Sequence, residues 1–379
     1  MKQTKYSRHI GYMHKWLFLL CLGMLSAIGC GCTDGVETPG EEGGIVFQLS
    51  LPPALEVTTR AGIDELTISD VWVLQYNKET KAFIMGKNFS GSAIGQIEDN
   101  KTIRVATSDF SNYSSNFYII VNAGTGFLTE FIKATTADRS ETALKKMTVG
   151  IAAGETAQPA LLTCGPLEYS PGASGKVVLV APLQHPCARI TVRWNKAADF
   201  KGYIDIDSVK VKNLPKKMAL YSRGGGALSE TYPALGDIST DFVVIRNTSL
   251  ASGTDCHFYM GENLRGTGTA TSFSEKGLVE KGPGGNLDGC TYVVLTGNYK
   301  YPKTETEQYP GIVKVKYSIY LGGNLLKDYN IQRGYEYKLA VNISGVNSGD
   351  IRVTITDGAV VVFDDVETIT KKVEFKKDR

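Results

Sequence analysis

The feature that most constrains the fold of this sequence is the alternation of apolar and polar residues in short segments. A strict example is Ile351-Arg352-Val353-Thr354-Ile355, and such segments are separated by Gly, Asn, Asp and Pro. Side chains that alternate with a period of two belong to β-strands, because successive residues of a strand point to opposite faces. A helical pattern is plausible only between Gly126 and Met147. The sequence therefore predicts an all-β chain of antiparallel β-sandwiches with one short helical stretch.

The strand-like segments, most of them alternating and some almost wholly apolar, are numerous enough for two sandwiches. In the first half they are 45–51, 68–76, 82–85, 101–106 and 116–122, and in the second half 177–194, 204–213, 241–246, 257–260, 292–299, 311–321 and 335–343. Between the halves Pro166, Pro171, Gly172 and Gly175 are clustered, which is typical of a linker. We therefore predict an N-terminal β-sandwich over 61–175 and a C-terminal β-sandwich over 176–345.

The first 30 residues have the pattern of a signal peptide. A basic start is followed by an apolar segment from Trp16 to Ile28, which is shorter than the roughly 20 apolar residues that span a bilayer. The segment ends in Ala27-Ile28-Gly29-Cys30, which resembles the lipobox in which a cysteine of an exported bacterial lipoprotein receives its lipid. We predict lipidation at Cys30; the alternative is an ordinary signal peptide with an incidental cysteine.

The segment 31–60 consists of a tether and an isolated strand. Residues 31–44 are polar and rich in glycine, which favours a flexible tether. The strand that follows places Ile45, Phe47, Leu49 and Leu51 on one face, so we predict that it is half-buried. After it, Arg60 lies in an exposed Thr- and Gly-rich segment that a trypsin-like protease could enter. Our hypothesis is that cleavage between Arg60 and Ala61 makes this strand removable.

Charge and chemistry exclude several classes of function. The sequence has 41 Lys and Arg against 39 Asp and Glu, which gives no electrostatic reason to expect nucleic-acid binding. The pairs Asp205/Asp207 and His185/Cys187 are isolated, and no Ser/His/Asp set has a spacing that supports catalysis. We therefore expect no enzyme activity, no metal site and no cofactor.

Four cysteines lie in the body of the chain, and their state is open. They are Cys164, Cys187, Cys256 and Cys290. An oxidising compartment permits disulfides, but four cysteines allow three pairings and their spacing selects none. Buried thiols are an equally good interpretation.

Four segments in a fixed order carry a resemblance to a known family. They are Thr59-Arg60-Ala61 followed by Asp70–Leu74, Pro182-Leu183 leading into Ala188–Val192, Phe258–Asn263, and Asp328–Tyr337 with Gly334 where Asn is usual. Together they resemble the bacteroidete fimbrillin superfamily, in particular its FimA-type pilins.

The resemblance implies two transthyretin-like β-sandwich domains and a role as a fimbrial subunit. Such subunits are made as lipoprotein precursors, exported to the outer membrane and cut after the arginine by an Arg-specific protease. Removal of the first strand leaves a groove that the C-terminal strand of another subunit fills. The implied partners are other fimbrial subunits and a host or bacterial surface ligand, and the implied location is the outer membrane and the extracellular fimbrium.

The segment 346–379 is the candidate donor under this interpretation. It is strand-forming, and we assign it no partner in the second sandwich. The donor side chains that we favour are Val361, Phe363, Ile369, Val373 and Phe375. The alternative is one more hairpin of the second sandwich, which would favour a tip subunit that accepts a strand and donates none.

Two functions from different classes remain open. The first is a structural subunit that polymerises by strand exchange. The second is a surface lipoprotein that keeps its lipid at Cys30 and binds a glycan or a host protein, with an anchor subunit of the fimbrium as the intermediate case.

Overall fold

β-strands are the main regular structure of the described residues, and most of the longer ones fall in the predicted segments, although the strand Leu162–Tyr169 was not predicted. The computed structural model describes residues 45–52, 68–95, 102–171, 177–198, 200, 202–222, 231–300, 312–344 and 353–362. The strands up to residue 182 are β1 (Ile45–Ser50), β2 (Asp70–Asn77), β3 (Phe83–Ser90), β4 (Thr102–Thr107), β5 (Ser115–Val121), β6 (Thr148–Gly150), β7 (Leu162–Tyr169) and β8 (Val177–Pro182). The later strands are β9 (Cys187–Lys196), β10 (Tyr203–Lys212), β11 (Leu214–Pro215), β12 (Lys217–Ala219), β13 (Ile238–Ser239), β14 (Val243–Arg246), β15 (Asp255–Gly261), β16 (Tyr292–Lys300), β17 (Ile312–Tyr320), β18 (Tyr335–Ile343) and β19 (Val353–Val362). The all-β prediction is confirmed.

The single predicted helical stretch is two helices of five residues each. These are α1 (Thr129–Lys133) and α2 (Glu141–Lys145). The first ends because Ala134 is extended, and the second begins where the side chain of Ser140 accepts a hydrogen bond from the Ala143 amide at 3.2 Å. Within the described ranges, no helix has the length and apolarity needed to cross a membrane.

Four larger sheets supply the layers of the fold. Their strand orders are β3-β2-β5-β7, β4-β1-β8, β15-β9-β18-β19 and β14-β10-β16-β17, and two-stranded ladders join β11 to β13 and β12 to β6. Pairing is antiparallel except between β1 and β8 and between β9 and β18. These two parallel pairs join strands that are distant in sequence, as parallel pairing requires a long connection.

The cores lie between facing sheets. Side chains of β4-β1-β8 pack on one face of β3-β2-β5-β7 through Phe47, Val73 and Phe117. The opposite face of β2 and β5 is also buried, against the region of α1, α2 and β12. A third cluster, containing Trp194 and Tyr317, fills the space between the two sheets of the second half. Alternation along β2 therefore serves two cores, since Val71 and Val73 belong to one and Trp72 and Leu74 to the other.

The strand after the proposed linker belongs with the first sheets. The domain boundary between 175 and 176 stays a prediction. It would assign β8 to the C-terminal sandwich, but β8 pairs along its whole length with β1, which lies in the first half of the chain. A cluster of Pro and Gly predicts a loop, and composition alone does not distinguish a loop inside a sandwich from a linker between two.

Two residues of the resemblance motifs meet inside the fold. Arg333 is buried and donates to the carbonyls of Leu220 and Ala219 at 2.7 and 2.5 Å, and its Nε lies 3.9 Å from Oε1 of Glu262. The segment that it holds contains β12, which pairs with β6. These motif residues therefore fix the segment 217–222 in place, which is a structural role.

Replacing Arg333 with lysine is expected to lower the free energy of unfolding by about 1.5–3 kcal/mol. A lysine keeps the charge but has no planar fork to reach both carbonyls, so one buried acceptor loses a charged donor. Urea denaturation measures the change. The control is Arg193→Lys in the exposed pair with Asp255, where the loss should stay within about 1 kcal/mol. Equal losses in the two variants would contradict the assignment.

Candidate functional site

The first strand occupies the centre of its sheet. β1 pairs antiparallel with β4, with Phe47 opposite Val105, and parallel with β8, with Phe47 opposite Leu179. At its end the amide of Leu183 donates to the carbonyl of Ser50 at 2.9 Å. Since neighbouring strands lie about 4.8 Å apart, removal of β1 would leave a slot about 10 Å wide with an unpaired backbone edge on each side.

The side chains of β1 form part of the first core. Phe47 and Leu49 are fully buried, and Ile45 is nearly so. The ring of Phe47 meets those of Phe110 and Phe117 edge to face, with centroids 5.8 and 5.1 Å apart. These contacts are the arrangement that aromatic pairs prefer. A strand that replaced β1 would need an apolar side chain at this position.

The strand is more deeply buried than its alternation predicts. Val46 points to the opposite face from Phe47, yet it is only 3 % exposed. Leu51, the last of the four predicted apolar positions, lies just after β1 and is half-buried against the same core. The opposite face of β1 is therefore buried at Val46 and half-buried at Gln48 and Ser50.

The predicted modification and cleavage positions lie outside the described residues. This applies to Cys30 and to Arg60 and Ala61, which connect β1 to β2. Within the described ranges, β1 is joined to the rest of its sheet by backbone hydrogen bonds and side-chain packing alone.

Part of the predicted donor segment has a partner in the chain itself. β19 pairs antiparallel with β18, with Val361 opposite Glu336, and lies at the edge of its sheet. The statement that this tail has no partner is wrong for 353–362, because the exposed edge of β18 can pair with a strand that follows it closely in sequence. Phe363, Ile369, Val373 and Phe375 lie outside the described residues.

The sequence predicts the strand β1 but does not predict that β4 and β8 are its neighbours in the sheet. The alternation of 102–107 and the continuous apolar run of 177–182 predict strands, but nothing in either segment specifies pairing with β1. The weak signal that existed was Phe110, an isolated apolar residue in a polar turn that proves to contact Phe47.

The remaining candidate side chains are structural. Asp205 accepts a hydrogen bond from Ser249 at 2.7 Å, and Asp207 accepts from Thr296 at 3.3 Å.

The four body cysteines are buried thiols, and no disulfide joins them. Burial raises the pKa of Cys164 and Cys290 to about 12, which removes their reactivity at neutral pH.

A buried histidine follows the wall formed by β8. The backbones of Gln184 and Thr163 exchange two hydrogen bonds of 2.9 Å, and the next residue, His185, lies 2.8 Å from the side-chain nitrogen of Gln158. Because an amide nitrogen only donates, the histidine Nε2 accepts this bond in its neutral form. Burial lowers the pKa of His185 to about 4, although the nearby carbonyls of Pro159 and Leu161 act in the opposite direction.

Acid is therefore expected to destabilise the fold through His185. The unfolded chain takes up a proton near pH 6.5, whereas the folded chain stays neutral until about pH 4. Stability is present above pH 6.5 and is lost as the pH falls towards 4, by up to about 3 kcal/mol. The free energy of unfolding of the parent chain and of His185→Gln is measured between pH 7.5 and 4. Over this range the variant should lose less of it than the parent does, and the difference should be about 3 kcal/mol. Parallel curves for the two proteins would show that His185 does not titrate in this way.

Comparison with known proteins identifies one matching family and several solved structures with a similar fold. Residues 258–341 match a family described as a domain of unknown function (DUF4906). No curated protein matches the chain. A candidate cell adhesion protein from Bacteroides eggerthii has a TM-score of 0.50 at 14 % identity, covering 86 % of this chain and 97 % of that one.

Two further structures are similar. A candidate cell adhesion protein from Parabacteroides distasonis has a TM-score of 0.51 at 12 % identity, covering 82 % of this chain and 97 % of that one. The tip fimbrial protein Mfa3 from Porphyromonas gingivalis, with a C-terminal truncation, has a TM-score of 0.46 at 10 % identity, covering 84 % and 99 %. The structural neighbours are thus Bacteroidetes fimbrial and cell adhesion proteins, and the likeness is one of fold.

Proposed function

We propose that this chain is a structural subunit of a cell-surface fimbrium that contributes to adhesion and polymerises by donor-strand exchange. The precursor carries a lipid on Cys30 at the outer membrane and is cut between Arg60 and Ala61 by a trypsin-like, Arg-specific protease. The mature subunit is extracellular and has no catalytic role or cofactor. The observation that carries the proposal is the central position of β1, between β4 and β8, at the start of the segment that contains the cleavage position.

The geometry of the slot explains why a cut subunit would polymerise. Loss of β1 exposes two rows of backbone donors and acceptors together with the apolar sites of its side chains, which is a template for strand addition. Ile45, Phe47 and Leu49 each contribute about 1.5–3 kcal/mol when buried, or about 4.5–9 kcal/mol gross for the three, and the half-buried Leu51 adds less. An incoming strand with a similar pattern recovers this free energy less its ordering entropy.

The position of the tail supports its role as donor. Among the described strands, β1 has a partner on both sides, whereas β19 pairs with β18 alone and lies at the sheet edge. An edge strand can leave with the loss of one ladder and without opening the sheet. We propose that the tail, through Val361, Phe363, Ile369, Val373 and Phe375, leaves this edge and fills the slot of a neighbouring subunit.

N-terminal sequencing of shed fibres tests the proposal. The mature subunit is expected to begin at Ala61 and to run as an SDS-resistant ladder on gels without boiling. A surface form that keeps its lipid and the residues before Arg60 would instead identify a retained surface lipoprotein or an anchor subunit.

A tip subunit is the second candidate, because β19 has a place in its own sheet. The double variant Phe363→Asp and Phe375→Asp distinguishes the two roles. A stalk subunit with a charged donor strand is expected to lose its ladder, because carboxylates would enter apolar sites. A tip subunit would still be found once per fibre, at the end, by immunogold labelling.

A further inference from the structure

A row of aromatic and cationic side chains crosses the sheet β14-β10-β16-β17. Lys212 on β10 is opposite Tyr292 on β16, which in turn is opposite Tyr320 on β17. The rings of Tyr292 and Tyr320 are tilted by 34° with centroids 4.8 Å apart, and Phe242 meets Tyr292 edge to face at 6.0 Å. Nζ of Lys212 lies 5.0 Å from the centre of the Phe242 ring.

This row forms the ridge of a two-lobed cleft. One cavity of about 370 Å³ contacts Lys212, Thr240 and Asp288, and a second of about 340 Å³ contacts Lys316 and Ser318. Both cavities include Tyr292 and Tyr320 in their walls. Each has the size of a small-molecule site, and together they suit a ligand of several linked units that passes over the tyrosine pair.

The cleft carries an excess of positive charge. Lys212 lines the first lobe and Lys316 the second, and Asp288 in the first lobe is the single carboxylate among the residues that line the two cavities. In the described part of the chain, neither lysine lies within 4.0 Å of a carboxylate. Lys276 also borders the second lobe, but its Nζ points inward and donates to the Asn324 carbonyl at 2.5 Å. An anionic ligand would therefore meet two available cations.

At two of the three strands that line the cleft a peptide cannot bind by strand addition, whereas β17 lies at the edge of the sheet. β10 and β16 have a partner on both sides, so their backbone groups are already paired. What remains available is aromatic surface, hydroxyl groups and ammonium groups. Sugar rings match this set, since their C–H faces pack on tyrosine rings, their hydroxyls bond to Thr240 and Ser318, and their carboxylates pair with lysine.

We infer that the cleft around Tyr292 and Tyr320 binds an acidic oligosaccharide, a chain of sugar rings bearing uronic or sialic acid carboxylates. The site uses residues of the second half only and does not depend on polymerisation. It would supply the fimbrium with its own contact to a glycan-coated surface.

Isothermal titration of the full chain tests this assignment with four probes: tetragalacturonic acid, 3′-sialyllactose, neutral maltotetraose and tetraglutamate. At least one acidic sugar is expected to bind about tenfold or more tightly than maltotetraose, and which of the two does so identifies the source of the carboxylate. In Lys212→Gln/Lys316→Gln the dissociation constant for that sugar should rise by about tenfold or more, a loss of about 1.4 kcal/mol. Tyr320→Ala should weaken acidic and neutral sugars alike.

The matched control is Lys314→Gln. Lys314 is exposed, lies on β17 as Lys316 does, and lines neither cavity. The control variant should bind as the parent chain does. Because both cleft lysines are at the surface of the sheet, thermal melting of the double variant should be unchanged. Absence of binding by both acidic sugars, equal binding of maltotetraose, tetraglutamate binding as tight as the sugars, or an unchanged affinity in the double variant would each overturn the inference.

Discussion

Arg60→Ala is expected to abolish fibres completely and to leave a folded monomer that stays anchored to the cell surface. Without the cut, β1 stays in the slot between β4 and β8, and both edges on which a neighbouring strand would pair remain occupied. An intramolecular strand competes at a high effective concentration, so even a well-matched donor from another subunit should not displace it. The measurement is the SDS-resistant ladder on an immunoblot, together with circular dichroism of the purified chain.

Two matched variants make this result specific to cleavage. Thr59→Ala changes the same segment but keeps the arginine, and it should form normal fibres. Replacing residues 57–60 with the recognition sequence of another protease should restore fibres only when that protease is added. Normal fibres from Arg60→Ala would show that the release of β1 is not the step that starts assembly.

Phe47→Ala is expected to destabilise the precursor by about 3–5 kcal/mol. Its side chain is fully buried between Phe110 and Phe117, and the cavity left by the ring adds to the lost transfer free energy. Guanidinium denaturation of the uncut chain measures the loss. The control is Gln48→Ala, a half-buried position next to it on the same strand, which should change stability by about 0.5 kcal/mol or less.

Phe47→Ala should affect the uncut precursor and the assembled fibre differently. In assembled fibres made from the Phe47→Ala precursor, the thermal dissociation temperature should equal that of the parent, because the proposal removes Phe47 with the first strand. If the fibres are weakened as much as the precursor, β1 is still present in the mature subunit, and a different element accepts the neighbour.

Much of the secondary structure could be predicted from the sequence. The segment 335–343 is predicted and observed with the same bounds, and successive side chains of β2 point into two different cores, as the period of two of a strand requires. The period of two is a local property, so a short window of sequence contains the whole signal. The helical stretch was less accurate, because Ser140 begins a new helix with its own cap and the sequence alone did not reveal the break.

The candidate sites depended on pairing, which is a property of distant residues. β8 follows a cluster of Pro and Gly and leads into β9, yet it pairs with β1 far earlier in the chain. Lys212, Tyr292 and Tyr320 form one row only because three separate strands share a register. No local pattern contains that register.

The sequence by itself determined most of the longer strands, though not β7, and which side chains of each share a face, because backbone geometry converts a period of two directly into faces. Only the tertiary structure decided that β1 lies between β4 and β8, that β19 is at an edge, and that a tyrosine pair borders a cleft. The physical reason is that ladders are built from backbone N–H and C=O groups, which are the same in almost every residue. The choice among strand partners therefore rests on the packing of whole sheets.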